Sequence, residues 1–65
     1  MIDDYIGRVA QIYYQDHKGN ISIRMIKVKD VTEGKVQAYC YAARAPRVFN
    51  KSQIIDVEAV GRFVG

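Results

Sequence analysis

Thr32-Glu33-Gly34-Lys35-Val36-Gln37-Ala38-Tyr39-Cys40-Tyr41 carries the cleanest pattern in the chain, a turn followed by strict alternation. Val36, Ala38 and Cys40 face one way and Gln37, Tyr39 and Tyr41 the other, the period of two that a pleated strand imposes on its side chains. Gly34 accepts the positive φ of a tight turn, so turn and strand together predict antiparallel pairing with the segment before them.

Working outward, residues 5–14 (Tyr-Ile-Gly-Arg-Val-Ala-Gln-Ile-Tyr-Tyr) are rich in β-branched and aromatic types and predict a first strand. Ile6, Ala10, Ile12 and Tyr14 share one side, interrupted by Arg8, and Tyr5, Val9 and Tyr13 share the other, as in a strand that bends between two sheets. A short turn capped by Asp3 or Asp4 is the rival reading of the first residues. Asp16-His17-Lys18-Gly19-Asn20 is a turn and implies a hairpin. In the next run Ile21, Ile23 and Met25 alternate on one face, after which the apolar parity moves to Ile26 and Val28; the switch predicts a bulge or sharp bend inside the strand.

Ala42 to Pro46 breaks the alternation, and Pro46 marks a turn or the first residue of a strand because it has no N–H for a ladder. Arg47 to Phe49 is a short strand. Asn50-Lys51-Ser52-Gln53 has the form of a capping box and starts either one 3₁₀ turn or an α-helix running to about Val60, with Gly61 as terminator. The Ile and Val content favours the short turn followed by a strand over Ile55–Val60. The expectation is an all-β fold, an SH3-like or Sm-like barrel of about five antiparallel strands with a short 3₁₀ or helical turn before the last.

Sixty-five residues make one domain, 1–65, and leave it a marginal core. Cys40 is the only cysteine and His17 the only histidine, so neither an intrachain disulfide nor a Cys/His metal cluster is available, and no cofactor is expected. A single buried thiol, an acidic rather than basic start and no apolar run near the roughly 20 residues of a membrane span give a soluble, cytoplasmic expectation. Residues 1–34 hold five basic and five acidic side chains; residues 35–65 hold five basic and two acidic, which accounts for the net charge of +3. From Lys35 to Ile55 there is no carboxylate, while Lys35, Arg44, Arg47 and Lys51 all fall there, a stretch that attracts phosphates and other anions.

Three short elements resemble the WYL domain, a family with an Sm-like, SH3-type barrel found mostly in bacterial transcription regulators. Ile12, Tyr14, Gly19 and Arg24 stand where that family has an isoleucine and tyrosine ending a strand, a turn glycine, and an arginine on the next strand. Val36, Ala38, Tyr39 and Cys40 match its leucine-x-Ala-Tyr-Cys strand, and Arg47, Phe49 and Ile54 its third element. The tryptophan and tyrosine that name the family fall at Gly34 and Lys35, its usual proline at Val28, and the arginine before its isoleucine at Gln53. The resemblance implies a regulatory sensor of nucleotide-like or nucleic-acid ligands, usually joined to a DNA-binding domain for which this chain has no room.

The residues expected to contact a ligand are Arg24, Arg47, Tyr14 and Tyr39, with charge support from Arg44 and Lys51. Guanidinium offers planar, bidentate donors for phosphate, and tyrosine faces stack on bases. The plainer alternative pairs Arg24 and Arg47 with carboxylates such as Asp30, Asp56 or Glu58 and uses the tyrosines to close the barrel end. No catalytic residue is expected: Cys40 has no neighbouring histidine and shares the parity of Val36 and Ala38, and no Gly-rich phosphate loop follows a strand. The expected partner is a nucleotide or single-stranded nucleic acid. A protein-interaction or homodimerisation module, pairing with a second copy or a regulator protein, is the alternative.

Overall fold

The computed structural model describes residues 1–60. The helical alternative over 52–60 is settled in favour of strand, and Gly61 lies outside the described residues. The five strands are β1 (Val9–Gln15), β2 (Ile21–Thr32), β3 (Lys35–Cys40), β4 (Ala45–Asn50) and β5 (Ile54–Ala59). They form one antiparallel sheet in the order β4-β3-β2-β1-β5. A 3₁₀ turn at Lys51–Gln53 joins β4 to β5, so the two outermost strands of the sheet are consecutive in the chain.

The sheet rolls on itself. β1 and β4 are three strand steps apart, about 14 Å if the sheet were flat. Yet the rings of Tyr14 on β1 and Phe49 on β4 lie with centroids 5.0 Å apart, edge to face. Inside the roll are Ala10, Ile12, Ile26, Val28, Val36, Ala38, Cys40 and Phe49, all buried, with Ile2 joining from the first residues. Each large aliphatic among them contributes roughly 1.5–3 kcal/mol by leaving water. β5 adds only the half-buried Ile54 and Val57, which leaves the core carried by the first four strands.

The tight β2–β3 turn forms as its residues dictate. Thr32 pairs with Lys35, leaving a two-residue loop in which Glu33 has φ 51° and Gly34 φ 76°, the positive pair of a type I′ hairpin. In the β1–β2 turn the Asp16 carboxylate accepts the N–H groups of Lys18 and Asn20, each at 2.9 Å. These bonds stabilise the ionised form and hold Asp16 below its ordinary pKa, the Asn20 amide most.

Four sequence expectations are corrected. Residues 5–8 are not strand: Ile2–Tyr5 is a 3₁₀ turn with Asp3 and Asp4 inside it rather than at its cap, and Gly7 turns the chain at φ 83° before β1 begins at Val9. Pro46 stands second in β4, a strand that starts at Ala45, and is tolerated because β4 is an edge strand. Asn50 precedes its turn as expected, but its side chain caps nothing; its amide donates to Gln53 Oε1 instead. Finally, the parity switch at Met25–Ile26 is not a bulge. Pairing with β1 runs unbroken from Val9↔Lys27 to Gln15↔Ile21, and the irregularity lies later, between Val28 and Asp30 against β3. Ile21, Ile23 and Met25 simply face outward.

Candidate ligand-binding surfaces

Alternation on β2 puts Ser22 and Arg24 on the same inward side as Ile26 and Val28. The last two are sealed in the core, whereas Ser22 and Arg24 lie beyond it, half-buried at the mouth of the roll. Arg24 spreads its guanidinium over the Phe49 ring, 5.9 Å from the centroid, and its Nε donates to Ser22 Oγ at 3.2 Å. Tyr14 meets the same ring edge to face. Its hydroxyl donates to Gln53 Oε1 and accepts the Asn50 N–H, both at 3.3 Å. Gln53 Nε2 in turn donates to the Gln15 carbonyl at 2.8 Å, and Lys35 Nζ to Asn50 Oδ1 at 2.7 Å. Tyr14 is therefore fixed at ring and hydroxyl, and Arg24 rests on a rigid aromatic floor.

The ion pairs among the described residues are Lys51 with Asp3 at 2.7 Å and the N-terminus with Asp4 at 3.5 Å. Neither arginine takes part. The carboxylates offered as partners are engaged elsewhere: Asp30 with the Val31 N–H and the Thr32 hydroxyl, Asp56 with the Val57 N–H, and Glu58 with Gln11 and Tyr13. Lys51 is spent on Asp3, whose pKa it lowers chiefly through that hydrogen bond.

Arg47 is exposed on β4, opposite Ala38 and two residues before Phe49. With Lys29, Gln37, Ala38, Pro46 and Val48 it lines an open cleft of about 270 Å³. Lys29 owes its place to the irregular register: Val28 pairs with Ala38 and Asp30 with Gln37, so Lys29 is the extra residue of a bulge, a device that re-aims a side chain. Arg44 sits in the β3–β4 turn at φ 55°.

The structure thus brings Tyr14 and Arg24 together and sets Arg47 two residues from the ring they share. Tyr39 is elsewhere. It faces outward opposite Lys27 and Pro46 and packs edge to face on Tyr41 at 5.4 Å. Sequence reasoning missed Ser22, Asn50 and Gln53 as the frame of the mouth and Lys29 as a cleft cation. The inward parity of Arg24 with Ile26 and Val28 was a signal for the first group; nothing in the sequence marked the bulge at Lys29.

Cys40 is fully buried, and His17 is exposed in its turn. Among the described residues no group of three or more His, Cys, Asp and Glu side chains could hold a metal ion, and no helix is long and apolar enough to cross a membrane. Compared with known protein families, curated proteins and solved structures, the chain matches none.

Proposed function

We propose that the chain is a non-enzymatic, WYL-type binding domain for a phosphate-bearing ligand, a nucleotide or a single-stranded nucleic acid. The observation that carries this reading is Arg24. A half-buried guanidinium has lost part of its hydration, and here, among the described residues, it has no carboxylate to offset that cost. Among the described residues its side chain donates one hydrogen bond, from Nε, and the Nη donors are left for an anion at the mouth. Tyr14 and Phe49 supply aromatic surface beside that position. Arg47 and Lys29 extend the cationic surface to the neighbouring cleft. Tyr14 and Arg24 belong to the first element of the WYL resemblance and Phe49 to the third, and the meeting of the two elements in space supports it.

The test is binding of a fluorescently labelled single-stranded oligonucleotide, with a mononucleotide and inorganic phosphate as competitors. Affinity should fall steeply between about 50 and about 200 mM salt. Arg24→Ala and Arg47→Ala should each weaken it while the fold survives. Absence of binding at the lower salt, or affinity unchanged in both variants, overturns the reading.

A second reading, a protein-interaction or homodimerisation module, is favoured by the apolar side chains that β2 presents outward.

A further inference from the structure

Gln37 and Val48 stand opposite each other on β3 and β4, and Pro46 lies two residues from Val48. The three share the face of the sheet that alternation turns away from Val36, Ala38 and Phe49. With Lys29 they wall the cleft of about 270 Å³. Ala38 is 1% exposed with its methyl group in the core, so it meets the cleft through its backbone, and Arg47, between Pro46 and Val48, completes the lining. The bulge makes the opening. From Val28↔Ala38 to Asp30↔Gln37, β2 takes two steps where β3 takes one, which leaves Lys29 without a partner on β3.

The cleft combines positive charge with apolar surface. Lys29 and Arg47 line it and no carboxylate among the described residues does, and neither cation is in an ion pair among them. Asp30, the next residue after Lys29, is engaged with its own hairpin: Oδ1 accepts the Val31 N–H and Oδ2 the Thr32 hydroxyl, both at 2.9 Å. Pro46 and Val48, the latter 63% exposed, are stiff apolar walls, and the Gln37 amide both donates and accepts.

We propose that this cleft is a second ligand site, for a small organic anion whose phosphate or carboxylate head group is held by Lys29 with Arg47 and whose apolar body rests against Pro46 and Val48. A bare inorganic anion would leave the apolar walls in water, and a neutral apolar molecule would desolvate the cations without compensation. Pockets for drug-sized ligands run from about 300 to about 1,000 Å³, so this one takes a smaller molecule. The cleft opens on the outward face of the sheet, whereas Arg24 faces inward, so a ligand occupies it whether or not the mouth is filled. The inference does not depend on oligonucleotide binding.

Amide chemical shifts of the isotope-labelled chain, titrated at constant ionic strength with phenyl phosphate and with benzoate, test this. Inorganic phosphate and acetate supply the same head groups without the apolar body. The aromatic probes should shift the amides of Lys29, Gln37, Ala38, Arg47 and Val48 along a saturating curve, and the bare head groups should need about tenfold higher concentrations. Whichever aromatic probe saturates first identifies the preferred head group. Lys29→Gln should weaken both aromatic probes several-fold, and Val48→Ser should weaken them while leaving the bare head groups unchanged; both side chains are exposed, so the fold should survive. Shifts spread equally over Lys18, Lys27 and the cleft, or bare head groups that bind as tightly as the aromatic probes, overturn the site in favour of an ordinary ion atmosphere. Unchanged affinity in Lys29→Gln overturns it as well. Shifts confined to Tyr14, Ser22 and Arg24 overturn the cleft and leave the reading of the mouth standing.

Discussion

The two halves of β2 obey opposite rules. From Ile26 to Val31 the strand places Ile26 and Val28 in the core and Lys27 and Lys29 in water. From Ile21 to Met25 it turns Ser22 and Arg24 inward and leaves Ile21, Ile23 and Met25 outside. The backbone is continuous and its pairing with β1 regular, so the inversion is a property of the side chains and not of the ladder. An inward position is apolar only where the roll encloses it. Beyond Ile26 the inside of the sheet opens onto the mouth, where a polar side chain remains in contact with solvent or ligand. The outward face of the same half is apolar without a covering element among the described residues.

Equal-sized substitutions in the two halves should therefore have very unequal effects. Ile26→Ala removes a fully buried side chain and should cost about 3 kcal/mol, a large share of the stability of so small a domain. Ile23→Ala should change stability by less than about 0.5 kcal/mol. Chemical denaturation of both variants, at protein concentrations low enough to keep the chain monomeric, checks the pair. A comparable loss at Ile23 would mean that its face is covered in the isolated chain.

Arg24→Leu sharpens the comparison by restoring the ordinary pattern to the first half. Leucine would rest on Phe49 and beside Ile12 without a charge to desolvate, and stability should rise by about 1 kcal/mol. Oligonucleotide binding should be lost in the same variant. A more stable protein that no longer binds identifies the guanidinium as retained for the ligand; a less stable one identifies it as part of the packing.

Most of the fold was legible because it follows from period and turn chemistry. Val36, Ala38 and Cys40 alternate into the core as read, Glu33-Gly34 makes a tight hairpin, and the strand expected over Ile55–Val60 forms over Ile54–Ala59 after a single 3₁₀ turn. The failures share a cause. Residues 5–8 have strand-like composition, but the chain has already turned at Gly7 with Ile2 tucked into the core, a tertiary contact that local pattern does not encode. The switch at Met25–Ile26 suggests a bulge only if apolar residues always face inward, and that premise fails at the mouth. The candidate site was half legible. Tyr14 and Arg24 meet because the sheet rolls, whereas Tyr39, on the reliable alternation of β3, is carried to the opposite face.

The two hairpins that bound β2 are held by different forces, and this yields the smallest effects. The Glu33-Gly34 turn depends on backbone conformation, so Gly34→Ala, at φ 76°, should cost about 1 kcal/mol at every pH. The Asp16 turn depends on an ionised carboxylate. Because the folded state lowers the pKa of Asp16 below its ordinary 3.8, the turn's contribution is complete above that pH and is lost as pH falls through the lowered value. Asp3, lowered by Lys51, acts in the same direction. Thermal melts across the acid range should show stability declining below pH 3.8 in the native chain and a shallower decline in Asp16→Ala, which has already lost the turn's bonds. Gly34→Ala should run parallel to the native curve. If Asp16→Ala runs parallel as well, the hydrogen bonds at Lys18 and Asn20 do not distinguish the charged carboxylate from the neutral one, and the first hairpin is held by its backbone like the second.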